Sequence, residues 1–128
     1  MILDTSALMA IVLREEGAEA LLDRVRQADQ VCIGAPTLVE ATVVLVGRFG
    51  LPGHTALASF LQVREVLTIP FESIHWYAAE EAFIRYGKGR HPAGLNLGDC
   101  MSYATARIAK QPLLFTGNDF AQTDIPPA

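Results

Sequence analysis

Asp4 lies where the first apolar segment of the chain ends and a helical pattern begins. Three apolar residues lead into Asp4-Thr5-Ser6, and the helical pattern starts at Ala7. In a parallel α/β sheet, ligands bind outside the carboxyl ends of the strands, so an acid at this point is a candidate metal ligand. Asp, Thr and Ser are also favoured helix N-caps. Taken alone, Asp4 is therefore compatible with two roles, metal ligand and helix cap.

Three further carboxylates lie beside other predicted elements, and each also has an ordinary structural explanation. Glu40 lies in an otherwise uncharged, mostly apolar helical segment, where burying a carboxylate is costly unless a cation or hydrogen bonds meet it. It also fits a capping box that begins at Thr37. Asp99 stands in the first turn of a helix that Asn96 could cap, where an acid offsets the helix dipole. Asp119 belongs to a Gly-Asn-Asp turn, which requires no function.

What these carboxylates share is their predicted position around one crevice of a doubly wound sheet. They follow the first, second and last strands, or begin a helix. Clustered carboxylates repel one another, so keeping them ionised requires divalent cations, and oxygen ligands suit Mg²⁺ or Mn²⁺. Such a metal activates water and stabilises a departing oxygen, which is phosphoryl-transfer chemistry. The predicted catalytic and metal-binding residues are Asp4, Glu40, Asp99 and Asp119.

Neutral oxygens accompany these acids. Ser6 could hydrogen-bond a carboxylate or a metal-bound water, or it could be a second helix cap. Thr116 and Asn118 follow the last predicted strand and add oxygens at the same strand end as Asp119. These three residues are predicted to support the site.

Short apolar segments alternate with longer helical ones along the chain. This order predicts a parallel sheet with helices on both sides, without a repeat or a second domain. The last helix is expected to bury a stripe of Leu97, Met101, Ala104 and Ile108. After the opening segment, strands are expected at residues 31–33, 68–71 and 113–115. Helices are expected at residues 7–13, 17–27, 36–48, 54–67, 73–86 and 97–110.

Composition narrows the class of protein. The chain has 128 residues, 51% of them hydrophobic, which is enough for the core of a single domain. Cys32 and Cys100 have no zinc-site spacing and are expected to be free thiols in a reducing cytoplasm. No signal peptide or membrane span is expected, so the predicted location is cytoplasmic. A net charge of -4 is unlike that of proteins that coat nucleic acid nonspecifically.

Around its acidic residues the sequence resembles the PIN-domain ribonucleases, and more narrowly the VapC toxins of bacterial toxin-antitoxin pairs. The resemblance is most specific in residues 87–100 and spans the whole chain. The matching motifs are Asp4-Thr5-Ser6-Ala7, Glu40, Gly98-Asp99-Cys100-x-x-Tyr103-Ala104 and the segment from Leu113 to Phe120.

This resemblance implies a single PIN domain over residues 1–128, folded as an α/β/α sandwich. It also implies Mg²⁺-dependent endoribonuclease activity, homodimerisation and inhibition by a cognate VapB-type antitoxin. Many PIN domains carry an Asp directly after Thr-Gly or Thr-Ala, whereas this chain has Asn118 there and Asp119 next. Which of the two residues reaches a metal is left open. For an RNA substrate, the one dense basic cluster is the predicted phosphate contact, and it comprises Arg85, Lys88, Arg90 and His91.

Two other families with a strand-end acid fit the sequence less well. A haloacid-dehalogenase-type phosphatase needs a second acid at the position of Ser6, and a receiver-like domain needs a lysine near Thr116. A catalytically inactive PIN-like interaction module stays an alternative. The pattern on the fifth helix favours a core or dimer-face role, rather than base stacking, for Trp76, Tyr77 and Phe83.

Overall fold

The four apolar segments predicted as strands pair in one parallel sheet. A computed structural model describes residues 1–128 and contains the strands β1 (Ile2–Leu3), β2 (Cys32–Gly34), β3 (Leu67–Ile69) and β4 (Leu113–Leu114). Their order is β3-β2-β1-β4, so the first and last strands are neighbours at the centre and one edge. Ile2 lies opposite Cys32 on one side and opposite Leu113 on the other. The carboxyl ends of β1 and β4 therefore open onto the same place.

Helices cover both faces of this sheet. They are α1 (Thr5–Leu13), α2 (Ala18–Gln27), α3 (Ala35–Phe49), α4 (Leu51–Val63), α5 (Ser73–Tyr86) and α6 (Leu97–Ala109), and a 3₁₀ turn follows at Phe120–Gln122. Because side chains alternate along a strand, Ile2 packs in one core cluster with residues of α5 and α6. Leu3 packs in a second cluster with residues of α1 to α4. The predicted three-layer α/β/α sandwich is confirmed.

The boundary between α3 and α4 differs from the prediction. The expected break over residues 50–53 shrinks to Gly50, whose φ of 64° ends α3, and α4 begins at once with Pro52 in its first turn. Proline is well suited there because its missing N–H has no intrahelical partner to lose. Gly53 lies against the backbone of Leu45, where an added Cβ would be 2.4 Å from the carbonyl oxygen. The two helices pack closely because of that glycine.

The apolar face predicted for α6 is partly wrong. Of the predicted stripe only Ala104 is fully buried, whereas Leu97 is 74% exposed; the helix also buries Cys100, Tyr103 and Ala106. The reason is that α6 packs against α5, α3 and the sheet together, so its buried surface is centred on Tyr103 and small neighbours. The core role suggested for three aromatic residues of α5 is also wrong, because the structure leaves Trp76, Tyr77 and Phe83 exposed. No helix combines the length and hydropathy that crossing a bilayer would require.

Candidate functional site

Asp4 is a helix cap and is also positioned to bind a ligand. It follows β1, is 4% exposed, and is the N-cap of α1. The Ser6 backbone N–H and hydroxyl both donate to Asp4 Oδ2, at 2.9 and 2.6 Å. All hydrogen bonds to this carboxylate fall on Oδ2, which leaves Oδ1 available to a cation. The two roles that the sequence left open are therefore compatible.

Glu40 is held at the site by its neighbours rather than by a capping box. α3 begins at Ala35, so Thr37 is already inside the helix, and its hydroxyl pairs with the Ser102 hydroxyl at 3.0 Å. The capping-box explanation is thus wrong. The Thr5 hydroxyl donates to Glu40 Oε2 at 2.5 Å. Thr5 directly follows Asp4, so this bond ties Glu40 to the end of β1.

Gly98 makes room for the Glu40 carboxylate. A Cβ added at Gly98 would lie 2.8 Å from each Glu40 carboxylate oxygen, closer than real Cβ atoms come to other atoms. The glycine is therefore the reason that α3 and α6 can bring Glu40 beside Asp99. The sequence signal for this role was the Gly-Asp pair itself, whose glycine had no evident purpose in a helix.

The pKa of Asp99 is influenced by the other three acids, which indicates that the four acids converge. Asn96 caps α6 as predicted, and Asp99 completes a reciprocal cap that the sequence did not predict, with backbone N–H donors at 3.0 and 2.8 Å. Burial raises the pKa of the Asp99 carboxyl, and the hydrogen bond from the Asn96 backbone opposes that rise. The negative charges of Asp4, Asp119 and Glu40 raise this pKa further. Carboxylates that come from β1, α3, α6 and the segment after β4 thus act on one another.

The loop that carries Asp119 is fastened to the first strand through Ser6. The Thr116 backbone N–H donates to the Ser6 hydroxyl at 3.0 Å, while that hydroxyl donates to Asp4. Ser6 therefore links the ends of β1 and β4, as a hydrogen-bond partner of a carboxylate. Asn118 and Asp119 are both exposed, so the question of which one reaches a metal stays open.

The donor set at this site fits a hard divalent cation. No ion pair involves any of the four acids, so no lysine or arginine of the chain neutralises them. All the available ligand atoms are oxygens, as Mg²⁺ and Mn²⁺ prefer. No three side chains of the metal-binding types stand close enough to enclose an ion already. Charge interactions link the four acids, and a bound cation would have to draw them closer together.

A second polar cluster, which the sequence did not reveal, fixes the segment after β4 onto α6. The buried Tyr103 hydroxyl donates to Asp124 Oδ1 at 2.7 Å, and Arg85 pairs with Asp124 Oδ2 at 3.2 Å. Burial raises the pKa of the Asp124 carboxyl, but the Tyr103 hydrogen bond and the Arg85 charge outweigh it, so this pKa lies below its ordinary value. The cluster holds the Asp119 segment against the helix of Asp99.

The basic residues divide into paired and unpaired groups. Arg85 also meets Glu81 at 3.5 Å and donates to the Tyr86 hydroxyl at 2.6 Å, so much of its charge is already shared. Lys88 and Arg90 are exposed and form no ion pair. His91 is half-buried, and its Nδ1 accepts from the Ala93 backbone. Phosphate contact at all four predicted positions stays a prediction, and the geometry favours the two unpaired residues.

Comparison with known proteins places the chain among its relatives. It matches the PIN domain family over residues 1–126. It is 43% identical to ribonuclease VapC36 of Mycobacterium tuberculosis over 98% of this chain and 91% of that one. It is 42% identical to ribonuclease VapC of Mycolicibacterium smegmatis, over 98% of this chain and 97% of that one.

Solved structures share the fold at lower identity. The crystal structure of VapC20 from M. tuberculosis, a toxin that cleaves the sarcin-ricin loop, superposes with a TM-score of 0.78 at 19% identity, over 99% of this chain and 97% of that one. VapBC2 of Rickettsia felis, bound to a DNA fragment from its promoter, gives a TM-score of 0.77 at 14% identity, over 98% and 94%.

Replacing Gly98 by alanine should disrupt the carboxylate cluster. The added Cβ would displace the Glu40 carboxylate, and we expect Mn²⁺ affinity, measured by calorimetry, to fall about ten- to hundredfold, as for other supporting residues of metal sites. Gly47→Ala is the matched control, because no atom lies within 4 Å of a Cβ added there. The control should gain about 0.5–1 kcal/mol of unfolding free energy from helix propensity. If Gly98→Ala gained the same unfolding free energy as the control and bound Mn²⁺ with unchanged affinity, the predicted clash with Glu40 would be refuted.

Proposed function

Because the chain belongs to the PIN-domain family, and within it to the VapC ribonucleases, we propose that it is a Mg²⁺-dependent endoribonuclease and the toxin of a toxin-antitoxin pair. The observation that supports this function best is the cluster of four carboxylates without a basic partner, at the carboxyl ends of β1 and β4. The two cysteines of the chain, Cys32 and Cys100, are free thiols, which is consistent with a protein that acts in the reducing cytoplasm.

The residues of the cluster divide the work of holding a metal. Asp4 and Asp99 would be the main ligands, with Glu40 and Asp119 completing the negative site. A bound Mg²⁺, or Mn²⁺ in its place, would lower the pKa of water and stabilise the oxygen that leaves the phosphate. The chain's own hydrogen bonds orient the ligands, through Ser6 on Asp4, Thr5 on Glu40 and the Asn96 backbone on Asp99.

Removing one acid should abolish cleavage while the fold survives. Asp4→Asn and Asp99→Asn keep an oxygen for the helix caps but lose the charge that would bind the metal, so Mg²⁺-dependent RNA cleavage should disappear. The melting temperature should hold or rise, because like-charge crowding is relieved.

Asp29→Asn is the matched control, an exposed acid without an ion pair that lies away from the cluster. It should cleave RNA at the rate of the unmodified protein. Full activity in either cluster variant would refute the metal site. A folded, metal-binding protein without any cleavage would instead favour the inactive interaction module.

The loop between α5 and α6 is proposed as the RNA phosphate contact. Gly87 and Leu95 pair at its base, and the Lys88 backbone N–H donates to Leu95 there. Lys88 and Arg90 are thereby held in the loop that leads into α6, the helix that carries Asp99. In a chain of net charge -4, two unpaired cations so placed would attract the RNA backbone toward the acids.

Removing the two positive charges of this loop should weaken RNA binding and make the RNA affinity less dependent on salt concentration. In Lys88→Gln/Arg90→Gln, the log-log slope of affinity against salt should fall by about one for each phosphate that the loop no longer neutralises. Arg48→Gln/Lys110→Gln makes the same charge change at exposed positions elsewhere and should keep the slope. The measurement is fluorescence anisotropy of a labelled RNA without divalent metal. An unchanged slope in the loop variant would mean that these residues do not contact phosphate.

A cognate VapB-type antitoxin is proposed to occupy both the acids and a nearby apolar surface. Val39 and Val43 on α3 are 62% and 66% exposed and lie within a helical turn of Glu40. A partner segment that covers them could place an Arg among the acids, where its planar guanidinium can pair with carboxylates in a bidentate way. An ion pair alone contributes about 0–1 kcal/mol at a surface, so the apolar contact is needed for stable inhibition.

Antitoxin and metal should therefore compete. Raising Mg²⁺ or Mn²⁺ should weaken inhibition by the antitoxin, since both neutralise the same carboxylates. Val39→Ser/Val43→Ser should weaken antitoxin binding at every metal concentration, because it removes the apolar contact alone. The measurement is cleavage of a fluorogenic RNA at fixed antitoxin and increasing metal. Inhibition that is indifferent to metal would show that the antitoxin only blocks the path of the RNA.

A homodimer is the second proposed assembly. Ile74, Tyr77 and Ile84 lie along one side of α5 and are all exposed. Exposed apolar side chains that are contiguous on one helix are typical of protein interfaces. We propose that this strip joins two copies of the chain.

A further inference from the structure

A groove of about 310 Å³ lies between α5 and α6. Its lining residues are Trp76, Ala79, Glu80, Phe83, Leu97 and Cys100. Leu97 and Cys100 flank the Gly98-Asp99 pair in the first turn of α6. The α5–α6 groove therefore borders the first turn of α6, which also carries Asp99.

Two aromatic side chains and one carboxylate, that of Glu80, line the groove, and the cation of Arg90 lies against one of the aromatic rings. Trp76 is 53% exposed, and Phe83 is also exposed. The Arg90 guanidinium carbon lies 5.5 Å from the centroid of the Phe83 ring. Unpaired RNA bases stack on aromatic rings and on guanidinium planes, and hydrogen-bond through their edges. The volume is at the small end of ligand pockets, roughly 300–1,000 Å³.

We propose that the α5–α6 groove binds one nucleobase of the RNA substrate. Trp76 and Phe83 stack on the base, and Arg90 meets the phosphate beside it. This assignment rests on the proposed ribonuclease function. A protein partner is disfavoured as the occupant because it would bury Glu80 and Arg90 without evident counter-charges, which is costly. RNA supplies a partner for each, an amino group for the carboxylate and a phosphate for the guanidinium.

Glu80 makes the groove selective. An ionised carboxylate only accepts hydrogen bonds. Cytosine presents an amino group at position 4, whereas uracil presents a carbonyl oxygen at the same place. With position 4 of the pyrimidine held against Glu80, uracil would leave two acceptors facing each other, so in this pose the groove should prefer cytosine over uracil by roughly five- to hundredfold in affinity.

Trp76 provides a direct probe, because it is the only tryptophan of the chain. The experiment is to titrate the full-length protein, in EDTA to prevent cleavage, with short oligocytidylate and with oligouridylate of the same length. Saturable quenching of tryptophan emission, at lower concentrations of oligocytidylate, is the expected result. Emission that RNA leaves unchanged, while RNA binding is evident by anisotropy, would overturn the proposal.

Variants separate the two roles within the groove. Phe83→Ala should weaken binding of oligocytidylate by roughly fivefold or more, and Trp76→Ala should do the same in an anisotropy assay. Phe49→Ala, which removes an equally exposed aromatic side chain from α3, should have no effect. Glu80→Gln should bind both oligonucleotides with similar affinity, because an amide can donate as well as accept. A preference for cytosine that survives in Glu80→Gln would overturn the assigned role of Glu80.

Oligomeric state and cleavage distinguish the remaining outcomes. If Trp76 emission changes with protein concentration, in step with dimerisation seen by sedimentation, and ignores RNA, the groove is a protein interface and the proposal is overturned. If the groove binds RNA as expected but Mg²⁺ never induces cleavage, the nucleobase assignment is supported and the ribonuclease function fails by itself.

Discussion

Mutual repulsion among four carboxylates is the constraint around which this fold is built. Asp4, Glu40, Asp99 and Asp119 come from four different parts of the chain, and their charges disfavour one another. Each of the first three is held by a donor without formal charge, a hydroxyl or a backbone N–H. The protein thus fixes the acids in place without neutralising them, and reserves their charge for a cation from outside.

The distribution of basic residues follows the same constraint. Arg85 and Arg107 pair with Glu81 and Asp124, on the flank where α5, α6 and the last segment meet. There they join helices and stay clear of the acids. Lys88 and Arg90 remain without an ion pair and exposed, in the loop that leads into α6. The basic residues therefore fall into two groups, one that stabilises the fold through ion pairs and one that is available to contact a substrate. The net charge of the chain, -4, does not reveal this division.

The sequence predicted the topology of the site better than its details. α5 begins and ends at the predicted residues, because Glu72 is its N-cap and Gly87 its C-cap. Convergence of the acids could be predicted because parallel strands all present their carboxyl ends at one edge. The buried face of α6 could not, since it depends on three packing partners at once.

Contacts between distant residues were also beyond prediction. The bond from Tyr103 to Asp124 joins residues 21 positions apart, and Asp124 follows an irregular turn with no periodic signal. The role of Gly98 depends on Glu40, which is remote in sequence and arrives only through the packing of α3 on α6. Such positions are set by tertiary geometry, which a one-dimensional pattern does not contain.

The double use of Asp4 has an evolutionary consequence. The same carboxylate caps α1 and faces the site, so most replacements would cost both folding and chemistry. Asparagine is an exception, because it caps helices about as well as aspartate. A lineage under selection to disarm this protein while keeping it folded, and still able to bind a partner, would therefore find few routes. The position should drift toward the amide, leaving an inert copy that still competes for the same partner.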